Sequence, residues 1–314
     1  MKNTFDSIFG VIDNMHITKV LEKPISSVDV VLETDACNEI DDQYAIAYLI
    51  NSNEKLNLKA IYAAPFLNSD VKSAFEGMEK SYDEVLKILE LMSKTELNNI
   101  LFYGSREFQS GELKPVYSDA ACDLASRAML YDKDNPLYVI AIGAITNVSS
   151  ALLINPAIRE RIVVIWLGGC AHNWPSNREF NLRQDIAGAR VLFGSGVPIV
   201  QAPAHGVVSS FTASGPELNR WLQGKNRLCD YLLENTIRKA EASQLSPAWT
   251  RAIWDVVPIA WLLDGEYMLD YLTPSPIPEY DNSYSFDSSR HSIRYIYHIK
   301  RDNLMFDLFS KLAK

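Results

Sequence analysis

Cysteine is scarce in this 314-residue chain, and the four present (Cys37, Cys122, Cys170, Cys229) do not group. Without a Cys-x-x-Cys pair, neither a thiolate zinc site nor a disulfide framework is expected, and reduced thiols in a cytoplasm are the simplest reading. Basic runs are missing too. No block of about five Lys or Arg occurs, and the net charge is −9, so the long-range field repels nucleic acid and anionic membranes. A small neutral or cationic substrate suits such a field better than a polyanion. No apolar run reaches the ~18 residues of a membrane span. The opening MKNTFDSIFGVIDNMHITK lacks a basic start, a continuous apolar stretch and a small-residue cleavage site, so no secretory signal is expected there. No internal repeat is visible.

What is present is ample apolar material, 47% of the chain, enough for a substantial core. The pattern predicts one α/β domain over 1–314, with 1–27 as a leading segment ending in turn chemistry at Lys23-Pro24 and Ser26-Ser27. Strands are expected at 28–34, 58–64, 100–103, 137–142, 162–167 and 197–202. Helices are expected at 41–50, 77–93, 119–131, 146–153 and 185–193. Several of the strands are apolar throughout, so the sheet is mostly parallel and covered by helices on both faces. Ligands in such sheets bind at the carboxyl ends of the strands. Residues 215–270, with four of the six tryptophans, read as helix-rich decoration. Residues 292–300 alternate Ile293, Tyr295, Tyr297 and Ile299, a late strand.

The first strand runs into Glu33-Thr-Asp35-Ala-Cys-Asn-Glu39-Ile-Asp41-Asp42-Gln43. Helix capping accounts for Asp41 or Asp42. It does not account for Asp35, which leaves an apolar strand. Carboxylates gathered at a strand end repel one another unless a cation offsets them, and hard oxygen ligands point to Ca²⁺ or Mg²⁺. A haloacid-dehalogenase phosphatase would need a nucleophilic Asp where Glu33 stands.

The segment resembles the D-T-D-P-G-x-D-D fingerprint of the inosine–uridine nucleoside hydrolase superfamily. Glu33 replaces the first Asp, Ala36 replaces the Pro, and two extra residues separate Asp35 from Asp41-Asp42. The spelling T-D-x-x-N-E-x-D-D-Q resembles a divergent branch of that superfamily. Further matches follow in family order from about residue 28 to 263. The strand 137–142 leads into Gly143-Ala-Ile-Thr-Asn147, similar to G-P-L-T-N. Trp166-Leu-Gly-Gly169, Asn173 and Glu179-Phe-Asn181 are similar to M-G-G … N … E-F-N. Trp254-Asp255 is similar to the H-D of H-D-P-x-A.

The resemblance implies a nucleoside hydrolase-like fold and metal-dependent cleavage of a ribonucleoside to ribose and free base. It implies Ca²⁺ held by Asp35, Asp42, Asp255 and the carbonyl of Ile142, with Asp35 also the general base. Asp41 and Asn181 would meet the 2′-hydroxyl, and Asn173 and Glu179 the 5′-hydroxyl. Trp254 stands where common members carry His and purine-preferring members carry Trp, so base stacking and a purine preference are expected. His172 is expected to face the site and, with Tyr62, is a candidate proton donor. His205, His16, His291 and His298 read as ordinary surface or core residues. The family's ribose-binding Asn after the second strand is Pro65 here, with Asn38 or Asn68 as substitutes. A homo-oligomer, dimer or tetramer, is the implied assembly. Two alternatives stay open: a ribosyl N-glycoside with another aglycone, and a non-catalytic nucleoside-binding protein on the same fold.

Overall fold

The computed structural model describes residues 5–10, 13–242, 248–263 and 265–314. Its centre is an eight-stranded sheet. The strands are β1 (Val28–Thr34), β2 (Leu56–Ala63), β3 (Leu101–Phe102), β4 (Leu137–Ala141), β5 (Ile162–Leu167) and β6 (Ile199–Ala202). The short β7 (Thr212–Ser214) and β8 (Thr250–Ala252) pair with each other outside it. β9 (Met268–Pro274) closes one edge, β10 (Ile277–Pro278) and β11 (Tyr284–Ser285) form a small ribbon, and β12 (Ser292–Ile299) returns to the sheet. The order is β3-β2-β1-β4-β5-β6-β12-β9, parallel except for β9, which runs antiparallel to β12.

Both faces of the central strands are buried, and the side chains divide by parity. On β1, Val30 and Leu32 join one core cluster and Val31 the other. On β5, Val163, Ile165 and Leu167 face one way, and Ile162, Val164 and Trp166 the other. Period-two alternation with both faces covered produces the continuously apolar runs read in the sequence. The helices Asp41–Ile50, Ala74–Leu91, Arg227–Ala242 and Arg301–Leu312 cover the first face. Asp119–Arg127, Thr146–Ile154 and Ile186–Gly194 cover the second.

The chain builds β1, β2 and β3 outward in one direction, then returns to add β4, β5 and β6 on the other side of β1. This reversal opens a crevice between the carboxyl ends of β1 and β4, where an open parallel sheet places its ligand. Gly143 follows β4 at that crevice. A Cβ there would lie 2.9 Å from the Cβ of Ala64 and 3.1 Å from that of Asp35, so only glycine lets the strand ends approach this closely.

Two regions differ from the sequence pattern. The leading segment is not only turn: Asp6–Phe9 and Asn14–Val20 are short helices. The Asp13 carboxylate accepts from the N–H groups of Met15 and His16, and Ile17, Val20 and Leu21 bury against the first cluster, so a capped apolar stripe overrides the weak local signal. Within 215–270 the helices Gly215–Leu222, Arg227–Ala242 and Val256–Trp261 are joined by β8, and β9 begins at Met268. Strands form there because each finds an antiparallel partner, β7 for β8 and β12 for β9. No helix among the described residues is long and apolar enough to cross a membrane.

Candidate active site

A cavity of about 670 Å³ opens above the β1–β4 crevice. Its floor is acidic. Asp35 follows β1 directly, while Asp41 and Asp42 begin the next helix, all ten of whose residues are buried. The two additional residues before Asp41 are taken up by a turn in which the Asn38 N–H donates to the Asp35 carbonyl (3.1 Å) and Cys37 adopts φ +82°. From the far end of the chain, Asp255 arrives at the N-terminus of the helix Val256–Trp261. Ligand atoms of Asp41, Asp42 and Asp255 all lie within 4.8 Å of one another.

Capping explains none of these three. Ile40 occupies the N-cap position of the first helix, so Asp41 and Asp42 fall inside it. Asp255 does hold an N-cap position, yet its side chain makes no capping hydrogen bond. The carboxylates point to other work. The Thr34 hydroxyl donates to Asp42 Oδ1 (2.5 Å), and the Trp254 N–H donates to Asp41 Oδ2 (3.1 Å). Asp35 Oδ2 accepts from the Asn38 amide (3.3 Å).

The electrostatics are one-sided. Burial, then the charge of Asp41, pushes Asp42 up to about 8. Burial, then the charge of Glu39, pushes Asp41 up to about 6. Asp35 and Asp255 are raised well above the usual carboxylate range, by burial first and by their acidic neighbours next. Beneath them Glu33 is also raised, mainly by burial. The Asn147 amide donates to its Oε1 (3.4 Å), while no described group reaches its Oε2. A floor of buried carboxylates is unfavourable as an isolated set of charges. The all-oxygen donor set fits a hard divalent cation, with the Ile142 carbonyl on the same cavity lining.

Asn181 and Glu179 form the next part of the lining. The Asn181 amide donates to the carbonyls of Ile142 (3.1 Å) and Leu167 (3.0 Å), clamping the ends of β4 and β5 together. The Glu179 carboxylate accepts from the N–H groups of Gly169, Asn181 and Leu182, each at 2.9 Å. Burial raises Glu179, and these three bonds pull it back. Asp185 caps the helix Ile186–Gly194 through the Gly188 N–H (2.7 Å), the structural part its position suggested.

Of the expected site residues, Asp35, Asp41, Asp42, Ile142, Glu179, Asn181, Trp254 and Asp255 line this one cavity. Two do not. Asn173 is exposed, because the loop it belongs to turns outward and is tied to Asn282 through the Asn177 N–H (2.7 Å). His172 packs its ring against Tyr284, Phe286 and Tyr295, with Nε2 3.0 Å from Gln201 Oε1. Aromatic packing holds it away from the crevice. Tyr62 is fully buried and donates to Asp123 (2.6 Å), which removes it as a donor to substrate. Asn38 and Asn68 both reach the cavity, joined by a 3.0 Å hydrogen bond from the Asn68 amide, in the region where Pro65 offers no amide.

The upper wall contains residues that pattern alone did not single out: His205, Ser209, Thr212, Lys239, Thr250 and Arg251. Arg251 pairs with Glu39 (2.5 Å), and Lys239 lies 4.0 Å from the same carboxylate. Thr212 lies on β7, Thr250 and Arg251 on β8, and Lys239 in the helix Arg227–Ala242, separate elements with no shared spacing. Only His205 carried a usable signal, its place just beyond the carboxyl end of β6. Its ring stands perpendicular to that of Trp254, centroids 5.5 Å apart.

Comparison with known proteins gives a consistent picture. Residues 30–294 match the profile described as inosine-uridine preferring nucleoside hydrolase. A curated relative, the pyrimidine-specific ribonucleoside hydrolase RihA of Escherichia coli O1:K1, is 26% identical over 184 residues, 52% of this chain and 56% of the relative. The match thus spans about half the length of such relatives. Among solved structures, the purine-preferring ribonucleoside hydrolase of Gardnerella vaginalis superposes with a TM-score of 0.74 at 18% identity, over 91% of this chain and 98% of the other. The inosine-uridine preferring nucleoside hydrolase of Bacillus anthracis gives 0.68 at 15%, over 91% and 99%.

Proposed function

Because this chain belongs to the inosine-uridine preferring nucleoside hydrolase family, we propose that it hydrolyses the N-glycosidic bond of ribonucleosides, yielding ribose and a free base. The observation that carries this reading is the floor itself: Asp35, Asp41 and Asp42, the Ile142 carbonyl and Asp255 come from three distant parts of the chain to one cavity. A nucleoside-sized ligand suits a cavity of about 670 Å³.

Asp35, Asp42, Asp255 and the Ile142 carbonyl would hold the metal, Ca²⁺ in our reading, with Asp41 grouped beside Asp42 and Asp255. When bound, the ion supplies positive charge that acidifies a water and orients sugar hydroxyls. Asp35 takes the proton of the attacking water. Asp41, fixed by the Trp254 N–H, meets the 2′-hydroxyl, where contacts strengthen as the sugar ring flattens. Asn181 spends both amide protons on Ile142 and Leu167, so its Oδ1 is the atom left to accept from a sugar hydroxyl. Glu179 retains acceptor capacity beyond its three backbone donors and meets the 5′-hydroxyl. Asn173 and His172 have no part in this arrangement.

Trp254 lines the wall above the sugar, and we assign it to stacking on the base, with purines preferred for their larger face. The names of similar proteins point both ways on this, pyrimidine-specific in one and purine-preferring in another. We also propose a homo-oligomeric assembly, which light scattering would test. The function is tested by incubating the protein with inosine, adenosine, uridine and cytidine, with Ca²⁺ and with chelator. Free base should appear with Ca²⁺ and fall sharply on chelation. Bound but intact nucleoside under all conditions would make the protein a binder, and neither binding nor turnover would end the reading.

A further inference from the structure

We propose that His205 is the acid that protonates the departing base. This assignment rests on the hydrolytic function above. Breaking the bond from C1′ to the base leaves an electron pair on the base nitrogen, and that charge needs a proton or a donor. This chain has Trp254, whose indole N–H is a donor and not an acid. A residue acid would come from elsewhere on the wall.

The cavity narrows the choice. Asp35, Asp41, Asp42 and Asp255 lie on the floor, at the sugar end. Arg251 remains charged throughout and is engaged with Glu39 (2.5 Å). The Lys239 ammonium donates to the Asn38 carbonyl (3.2 Å) and lies near the same Glu39. Ser209, Thr212 and Thr250 offer hydroxyls, which are poor acids. Of the five histidines, all among the described residues, only His205 lines the cavity. No hydrogen bond from a described residue occupies its ring nitrogens, in contrast with His172 on Gln201.

The backbone holds His205 in place without using its side chain. Its carbonyl accepts from the Ala171 N–H (2.8 Å), and the Ala204 N–H donates to the Gly169 carbonyl (2.8 Å), which splices this loop to the one leading to Glu179 and Asn181. The turn beyond depends on Gly206, φ +89°, where a Cβ would lie 2.7 Å from the Cβ of Ala171. The ring then stands perpendicular to Trp254 at 5.5 Å. The imidazole and the indole therefore border the same part of the cavity.

The step balances as follows. The C1′–N bond breaks and its electron pair stays on the base. The imidazolium proton of His205 passes to a ring nitrogen of that base. Water oxygen bonds to C1′ while Asp35 accepts its proton, and solvent exchange restores both residues. The net reaction is nucleoside plus water giving ribose and base.

The test compares leaving groups on H205Q and H205N, using inosine and p-nitrophenyl β-D-ribofuranoside. Nitrophenolate departs without a proton, so it bypasses the acid. We expect kcat on inosine to fall about 10²- to 10³-fold in both variants, and kcat on the nitrophenyl riboside to fall at least ~10-fold less. Equal losses on the two substrates, or no loss on inosine, would overturn the assignment while leaving the hydrolytic function intact. If both variants proved unfolded by circular dichroism, His205 would be a structural residue and the assignment wrong. A wild type that cleaves neither substrate would overturn the function itself.

Discussion

The floor and the upper wall of the cavity are built by different means. The floor is buried and electrostatically stressed: Asp35, Asp41, Asp42 and Asp255 are raised, and each is positioned by a strand end or a helix start. The wall is assembled from loops and from several short or outlying elements, β7, β8 and the end of the helix Arg227–Ala242 among them. Trp254 is partly buried, His205 is half-buried, and Arg251 and Lys239 meet at a partly exposed Glu39. On the proposed function, such a floor would hold an ion and the sugar that every ribonucleoside shares. A wall of this kind can vary with the base. On that reading the floor would carry the chemistry and the wall the selectivity.

Changing the floor should cost most. Asp35→Asn removes the proposed base and proposed ion ligand together, and kcat should fall by about 10³-fold or more for purine and pyrimidine ribonucleosides alike. Steady-state assay of free base on inosine and uridine checks it, and unequal losses would mean that the floor also reads the base. On the wall, Trp254→Ala deletes the ring but keeps the backbone N–H that holds Asp41. The kcat/KM for inosine should fall roughly 5- to 150-fold, the equivalent of about 1–3 kcal/mol of stacking, with a smaller loss for uridine. Equal losses would blur the division between floor and wall.

The stress in the floor has a thermodynamic signature. Without cation, Asp41 and Asp42 titrate at about 6 and about 8 in the folded protein, against an ordinary value of 3.8. The folded state therefore holds protons that the unfolded state has released, and stability falls as pH rises from about 4 through about 8. In chelator, Tm should drop by a few degrees or more between pH 5.5 and pH 8. Added Ca²⁺ should raise Tm more at pH 8, where the carboxylates are free to bind it. A Tm in chelator that rises across this range would contradict the burial argument. The smallest effect belongs to the rim. Glu39→Ala breaks the pair with Arg251, whose carboxylate side is 41% exposed, and should change stability by less than about 1 kcal/mol in denaturant melts.

Much of this was readable beforehand, for a physical reason. The buried strands 28–34 and 162–167 and the helix 41–50 appear at their expected bounds, because apolar periodicity records which faces are covered. The carboxylates of the floor were readable because a charge leaving an apolar strand has few ordinary explanations. The leading helices were missed, since short elements are stabilised by the core they pack on and carry little local signal. His172 and Asn173 fell on the wrong side because adjacency to Gly169 in sequence does not say which way a loop turns; Gln201, Tyr284, Phe286, Tyr295 and Asn282, all distant in the chain, decided it.

By itself, then, the sequence determined the parallel sheet, the acidic strand end and most of the polar residues that line the cavity floor, because these follow from local periodicity and short-range chemistry. Only the tertiary structure decided that Asp41 is drawn into the trio with Asp42 and Asp255, that Asn38 and Asn68 share the rim, and that His205 rather than His172 faces Trp254. Those placements depend on contacts between segments far apart in the chain, and the direction of a loop is set by the surfaces it meets after folding.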